Sequence, residues 1–143
     1  MNKAIGLDLG KKTLGIAISD VLGIAHPLET FRFERFDFEK ASDRVIELTK
    51  EKGIKEIALG YPLRLNNTVS EMSENVLSFQ KLLLSKDSSL EITLIDERLS
   101  TVEAHNTLSF LDVNHQTRKD NIDTLAAIEI LDTYLRRKNN GIN

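Results

Sequence analysis

The sequence predicts an α/β fold: a mixed five-stranded sheet, made of a three-strand antiparallel meander plus two parallel strands, with helices on both faces. Three observations lead there. Residues 4–9 are almost wholly apolar and residues 13–20 alternate, and a turn containing Gly10 joins them as a hairpin. A third strand-like stretch follows at once, as in a meander. After it, strand-like and helix-like stretches take turns, the pattern of parallel additions.

Taken in order, Ala4–Leu9 suits a strand buried on both faces. Thr13–Asp20 is rich in β-branched residues and pairs with it. Val21–His26 is a turn region with Gly23, and Pro27–Phe33 is a short third strand with proline at its start. Asp37 caps a helix over 38–52 that Gly53 stops. Ile54–Gly60 is a strand ended by Tyr61-Pro62, and Arg64–Asn67 is a polar loop. Thr68-Val69-Ser70-Glu71 is a capping box for a helix to about Ser85, with Met72, Val76, Phe79 and Leu83 on one face. Leu90–Asp96 is the last strand. Ser100-Thr101-Val102-Glu103 opens a helix to about Leu111, Asp112–Lys119 is a polar, mobile connection, and a last helix runs from Asp120 to about Lys138. Asp120 serves as its cap.

At 143 residues, with no repeat, low-complexity run or linker, the chain is expected to form one domain spanning 1–143. It has no cysteine, which excludes disulfides and thiolate metal sites. No apolar run approaches the ~18 residues of a membrane span, and the N-terminus lacks a signal-peptide layout. A soluble, cytoplasmic protein without a membrane partner is expected. The net charge of −3 argues against a nonspecific nucleic-acid coat protein. It leaves room for nucleic acid as substrate, because a local basic patch is enough.

Three acidic positions stand out. Asp8 interrupts an apolar strand, and burying a lone carboxylate is costly unless it is paired or holds a metal. The simpler alternative is a strand end accepting hydrogen bonds from the turn. Asp96-Glu97 ends the last strand, where ligands gather in α/β sheets. Adjacent strand residues face opposite ways, so one of the two would face a shared site. The alternative is a loop whose acids favour the following helix N-terminus. Asp123 extends the row Ala127, Leu131, Leu135 back by one turn, onto the core-facing side of its helix. It could instead serve the helix dipole. Three such carboxylates can hold hard divalent cations. Two ions roughly 3.5–4 Å apart suit phosphodiester cleavage.

Basic residues accompany these acids. Lys11 and Lys12 follow the first, Arg98 the second, and Arg118 and Lys119 precede the third, while Arg64 follows the Gly60-Tyr61-Pro62 strand end. Arg grips phosphate with two donors and Lys acts as a point charge. Gly10 leaves space for a phosphate beside the first acid. Gly10-Lys11-Lys12-Thr13 is no phosphate loop, since Ile5 stands where that motif needs its first glycine. His26, His105 and His115 are scattered, without ligand-like spacing.

These blocks resemble a known family. "GLDLGKKTLGIAISD", "ALGYPL", "DERLSTVEA" and "DNIDTLAAIEILDTYL" are similar, in this order, to YqgF-type proteins. That family comprises the pre-16S ribosomal RNA nucleases also called Holliday-junction-resolvase-like proteins. The likeness covers nearly the whole chain. It implies a ribonuclease-H-like fold and a two-metal nuclease site of Asp8, Glu97 and Asp123, holding Mg²⁺ or Mn²⁺. Arg98, Ser100 and Thr101 match the rest of their block. The family's lysine shortly before the last acid has no clear counterpart, as Lys119 stands four residues ahead.

The expected function is a metal-dependent endonuclease acting on structured nucleic acid, in processing the 5′ end of precursor 16S ribosomal RNA. The alternatives are a resolvase acting on branched DNA, a nonenzymatic module binding nucleic acid or the ribosome, and a nucleotide-binding ATPase. The last needs two such domains. Either a monomer or a homodimer is compatible with the sequence.

Overall fold

A computed structural model describes residues 3–62, 71–96 and 115–139. Five strands form one sheet: β1 (Ala4–Leu9), β2 (Thr13–Ser19), β3 (Ala25–Arg32), β4 (Glu56–Tyr61) and β5 (Glu91–Asp96). Their order is β3-β2-β1-β4-β5. The pairs β1–β2 and β2–β3 are antiparallel, and β1–β4 and β4–β5 are parallel. This is the expected mixed sheet. Three helices are described: α1 (Phe38–Lys52), α2 (Glu71–Lys86) and α3 (His115–Asn139).

The strands' alternation divides the core into two layers. Ile5, Leu7 and Leu9 of β1 pack on the α1/α2 side with Val45, Leu48, Val76, Phe79 and Leu83. On the other side Ala4, Ala17, Ala58 and Ile95 meet Ala127, Ile130, Leu131 and Leu135 of α3. Helices therefore cover both faces, and β1 lies at the centre, apolar on each.

α1 has the bounds its sequence dictates. The Asp37 side chain accepts from the Lys40 N–H, and Gly53 ends the helix in the left-handed region at φ 66°. β3 starts at Ala25, two residues before Pro27. Proline is tolerated inside it because β3 is an edge strand and Pro27 pairs with Ala17 at a register shift of β2. β4 starts at Glu56 rather than Ile54, since Ile54 first bonds back to the Thr49 carbonyl of the α1 terminus.

α3 differs most from expectation. It is helical from His115, so His115–Lys119 belongs to the helix and position 120 lies inside it, not at its cap. Gln116, Thr117, Arg118 and Lys119 contain no proline or glycine to stop a helix. The expected capping boxes at 68–71 and 100–103, the helix over 100–111 and the loop Arg64–Asn67 fall wholly or partly outside the described residues.

Candidate active site

The site begins with a close contact. Gly6 is buried in β1 on the α3 side. A Cβ there would stand 2.6 Å from the Ala127 carbonyl oxygen and 2.7 Å from Leu131 Cβ. Only glycine lets the α3 backbone come this near to the strand.

The far end of α3 is fixed by a different device. Glu56 is 5% exposed at the start of β4, where it pairs with Ala4. The Tyr134 hydroxyl donates to Glu56 Oε1 at 2.6 Å, and Lys138 Nζ reaches the same oxygen. Burial, reinforced by the bond to Glu56, pushes the Tyr134 phenol well above its usual range. The C-terminal turns of α3 therefore lie over the start of β1 and β4, with Ala127 and Leu131 over Gly6. The helix runs antiparallel to β1.

Asp8 follows from these two anchors. It is half-buried and shares the face of Ala4 and Gly6 by strand alternation. It lies two residues beyond Gly6, about 7 Å along the strand. Position 123 of α3 lies one turn before Ala127, about 6 Å along the helix axis. Because the elements are antiparallel, both steps advance toward the same end of the sheet. The α3 side chains are described from Thr124 onward.

The neighbours of Asp8 in the sheet are glycines. Gly15 is its partner on β2, and the β1–β4 register brings Gly60 alongside in the next position. Beyond Gly60 comes Ile95. Neither adjoining strand places a side chain beside Asp8 on this face of the sheet.

β5 separates its two candidate acids. Ile95 packs with α3, so Asp96 faces the α1/α2 side, as does its partner Tyr61. Asp96 therefore does not share the face of Asp8. Glu97, Arg98, Ser100, Thr101 and Arg64 lie outside the described residues, and Lys119 and Asp123 are in the helix without described side chains. Among the described residues no three acids or histidines cluster as metal ligands.

The β1–β2 turn carries Gly10, Lys11 and Lys12. The Gly10 N–H donates to the Thr13 carbonyl at 2.8 Å, and a Cβ on Gly10 would stand 3.2 Å from Thr13 Oγ1. Tight closure of the turn thus accounts for this glycine by itself. The carbonyls of Lys12 and Lys11 accept from the Phe33 and Phe36 N–H groups at 2.9 and 2.8 Å. The basic turn is therefore braced from the start of α1. At the end of β4, buried Ser73 of α2 donates to the Pro62 carbonyl.

Sequence reasoning overlooked Gly6 and the Glu56–Tyr134–Lys138 cluster. Gly6 carried a signal, being a glycine within an apolar strand. Glu56 carried none, because its partners lie 78 and 82 residues away.

The described donors suit only certain cations. Asp8 offers carboxylate oxygen, and the chain has no thiol. His26 sits at the start of β3, at the opposite end from Asp8, bonded to Asp20 at 2.8 Å. Oxygen donors of this kind fit a hard divalent cation rather than a soft one.

Comparison with known proteins places this architecture. The family described as "RuvX: Holliday junction resolvase" matches residues 2–137. A Staphylococcus aureus protein named "Putative pre-16S rRNA nuclease" is 38% identical over 135 residues, covering 94% of this chain and 95% of the relative. Thermus thermophilus RuvC, solved with a Holliday junction substrate, superposes with a TM-score of 0.67 at 14% identity, covering 99% of this chain and 97% of that one. The Fowlpox virus resolvase bound to Holliday junction DNA gives 0.56 at 11% identity, covering 95% and 98%. These two likenesses establish a shared fold. No described helix is long and apolar enough to cross a membrane. The family match and the 38% identical relative together show that the chain belongs to the RuvX family of resolvase-type nucleases.

Proposed function

We propose that this nuclease cleaves phosphodiester bonds of structured nucleic acid, in maturing the 5′ end of precursor 16S ribosomal RNA in the cytoplasm, with Asp8, Glu97 and Asp123 holding two divalent cations, Mg²⁺ or Mn²⁺. The observation that carries this reading is the Gly6 contact. It brings the α3 backbone against β1 and sets position 123 one turn along, on the side to which Asp8 advances.

Further features support it. Ile95 faces α3, so Asp96 is turned away from the face of Asp8, which favours Glu97 as the acting acid of the pair. Gly15 and Gly60 put no side chain beside Asp8, which suits a site for two ions and a phosphate. The S. aureus relative's name supports a ribosomal RNA substrate. Branched DNA, the substrate in the RuvC and Fowlpox structures, is the second reading.

When bound, the cations would lower the pKa of an attacking water and stabilise the leaving oxygen. The chain's residues do the rest. Asp8 fixes the first ligand position on a strand buried on both faces, so the ligand is held by the stiffest part of the fold. Lys11 and Lys12 present positive charge on a turn braced by Phe33 and Phe36, where a phosphate backbone can approach. Arg64, Arg98, Ser100, Thr101 and Lys119 would add substrate contacts.

Asp8→Asn tests the reading directly. It keeps the shape and removes the charge. Mn²⁺-dependent cleavage of a precursor ribosomal RNA fragment should fall by at least about 100-fold, with the melting temperature in metal-free buffer unchanged or raised. Undiminished cleavage by this variant would refute the assignment.

A further inference from the structure

The segment between β3 and α1 holds a conformation that needs a reason. Phe36 is the one non-glycine residue with positive φ among the described residues, at 63°. For a bulky aromatic this is an outlier, and such strain gathers where a side chain must be aimed. The residue is 41% exposed. It is nonetheless held in place. Its N–H donates to the Lys11 carbonyl at 2.8 Å, and its carbonyl accepts from the Phe38 N–H at 2.9 Å. The Phe38 ring meets it at 78°, with centroids 5.9 Å apart.

Its surroundings are cationic. The Arg35 guanidinium carbon lies 4.9 Å from the ring centroid. Lys11 and Lys12 lie on the turn to which Phe36 is bonded. Glu34 is the exposed acid of the segment, and Asp37 is occupied in capping α1. The whole group stands at the end of the sheet to which Asp8 advances.

An exposed, rigid aromatic ring with cations around it matches the way single strands are bound: bases stack on the ring and the cations follow the phosphates. We infer that Phe36 is a stacking platform for one unpaired nucleobase of the bound substrate, with Arg35, Lys11 and Lys12 contacting the flanking phosphates. The inference rests on the nuclease reading above and deepens it. The substrate carries a single-stranded nucleotide next to the cleavage site. Arg35 either stays as a second layer on the base or moves aside to a phosphate, since guanidinium planes stack on bases as well as on rings.

The test uses the full chain in EDTA, so that nothing is cleaved. Fluorescence anisotropy would compare two labelled RNA duplexes, one blunt and one with a single-stranded extension carrying 2-aminopurine, and the same pair in DNA. The native protein should prefer the extended duplex by about tenfold and should quench the 2-aminopurine. Phe36→Gly should lose both effects while binding the blunt duplex as before. Because glycine accepts the left-handed conformation, this variant should melt within a few degrees of the native protein. Phe36→Trp should keep the preference and the quenching. If Phe36→Gly retains both, the platform is refuted and the nuclease reading stands. If the native protein binds neither RNA nor DNA, the nuclease reading falls and the platform with it.

Discussion

The two faces of the sheet are built from different materials. The α1/α2 side uses large residues: Val45, Phe79 and Leu83 are each at most 1% exposed, and rings continue from Phe79 through Phe38 to Phe33. The α3 side is lined by Ala4, Gly6, Ala17 and Ala58, over which Ala127 passes. Volume holds one layer together. In the other the strand residues are mostly small, the volume comes from Ile95 and from Ile130, Leu131 and Leu135 of α3, and a helix backbone comes almost onto a strand. The layer of small residues is the one whose acids are proposed to act. The proposed site lies where the distance between main chains is tightly set, away from the layer that buries the aromatic rings.

Substitutions can break this contrast, and the largest effect belongs to the bulky side. Phe79→Ala removes a fully buried ring and should cost about 3–5 kcal/mol in chemical denaturation. In the protein that remains folded, metal affinity should be unchanged, because α3 is untouched. If Mn²⁺ affinity fell in proportion to stability, the two layers would not be separable.

Gly6→Ala adds one methyl group to the small-residue side. It should cost about 1–3 kcal/mol, as overpacking does. Unlike Phe79→Ala, it should also weaken Mn²⁺ binding measured by calorimetry at a temperature where both variants are folded. The helix must lift where the methyl meets the Ala127 carbonyl. Equal metal affinity in Gly6→Ala and the native protein would dissolve the proposed link between this contact and the site.

The smallest effect concerns the anchor at the other end of α3. Tyr134→Phe removes a partly buried hydrogen bond to Glu56 while Lys138 remains, for a loss of about 1 kcal/mol. The pH dependence has a definite sign. The folded-state value of Tyr134 is raised, so the native state keeps a proton that the unfolded chain releases above about pH 10. Its contribution is complete below that pH and is lost as pH rises further. An ultraviolet titration should show Tyr134 ionising later than a free phenol, and Tyr134→Phe should flatten the alkaline fall in stability. A normal titration of Tyr134 would remove the anchor from the account.

The sequence made the fold legible where signals are local. Asp37 and Gly53 carry their own helix ends, and α1 falls between them. The hairpin, the meander with its parallel additions and the apolar centre follow from patterning alone. Edges set by pairing were harder to read. Pro27 looks like a strand start until a register shift opposite it shows how it fits inside. The start of α3 was misplaced because polar residues without a breaker suit a loop or a helix equally. In the site, Asp8 was visible as a carboxylate in an apolar run, and strand alternation allowed only one of Asp96 and Glu97 to share its face. That Asp96 is turned from this face needed Ile95 to be seen against α3. Phe36 had no local signature, because exposure and a left-handed backbone are properties of the folded chain.

Gly6 has one more consequence. Side chains change rotamer readily, but main chains packed against each other have no rotamers to change. A spacing fixed by a strand Cα and a helix carbonyl therefore acts as a gauge block, insensitive to thermal reshuffling of the surrounding core. Sequence drift among the large residues opposite can alter how firmly this protein folds while leaving that calibration intact.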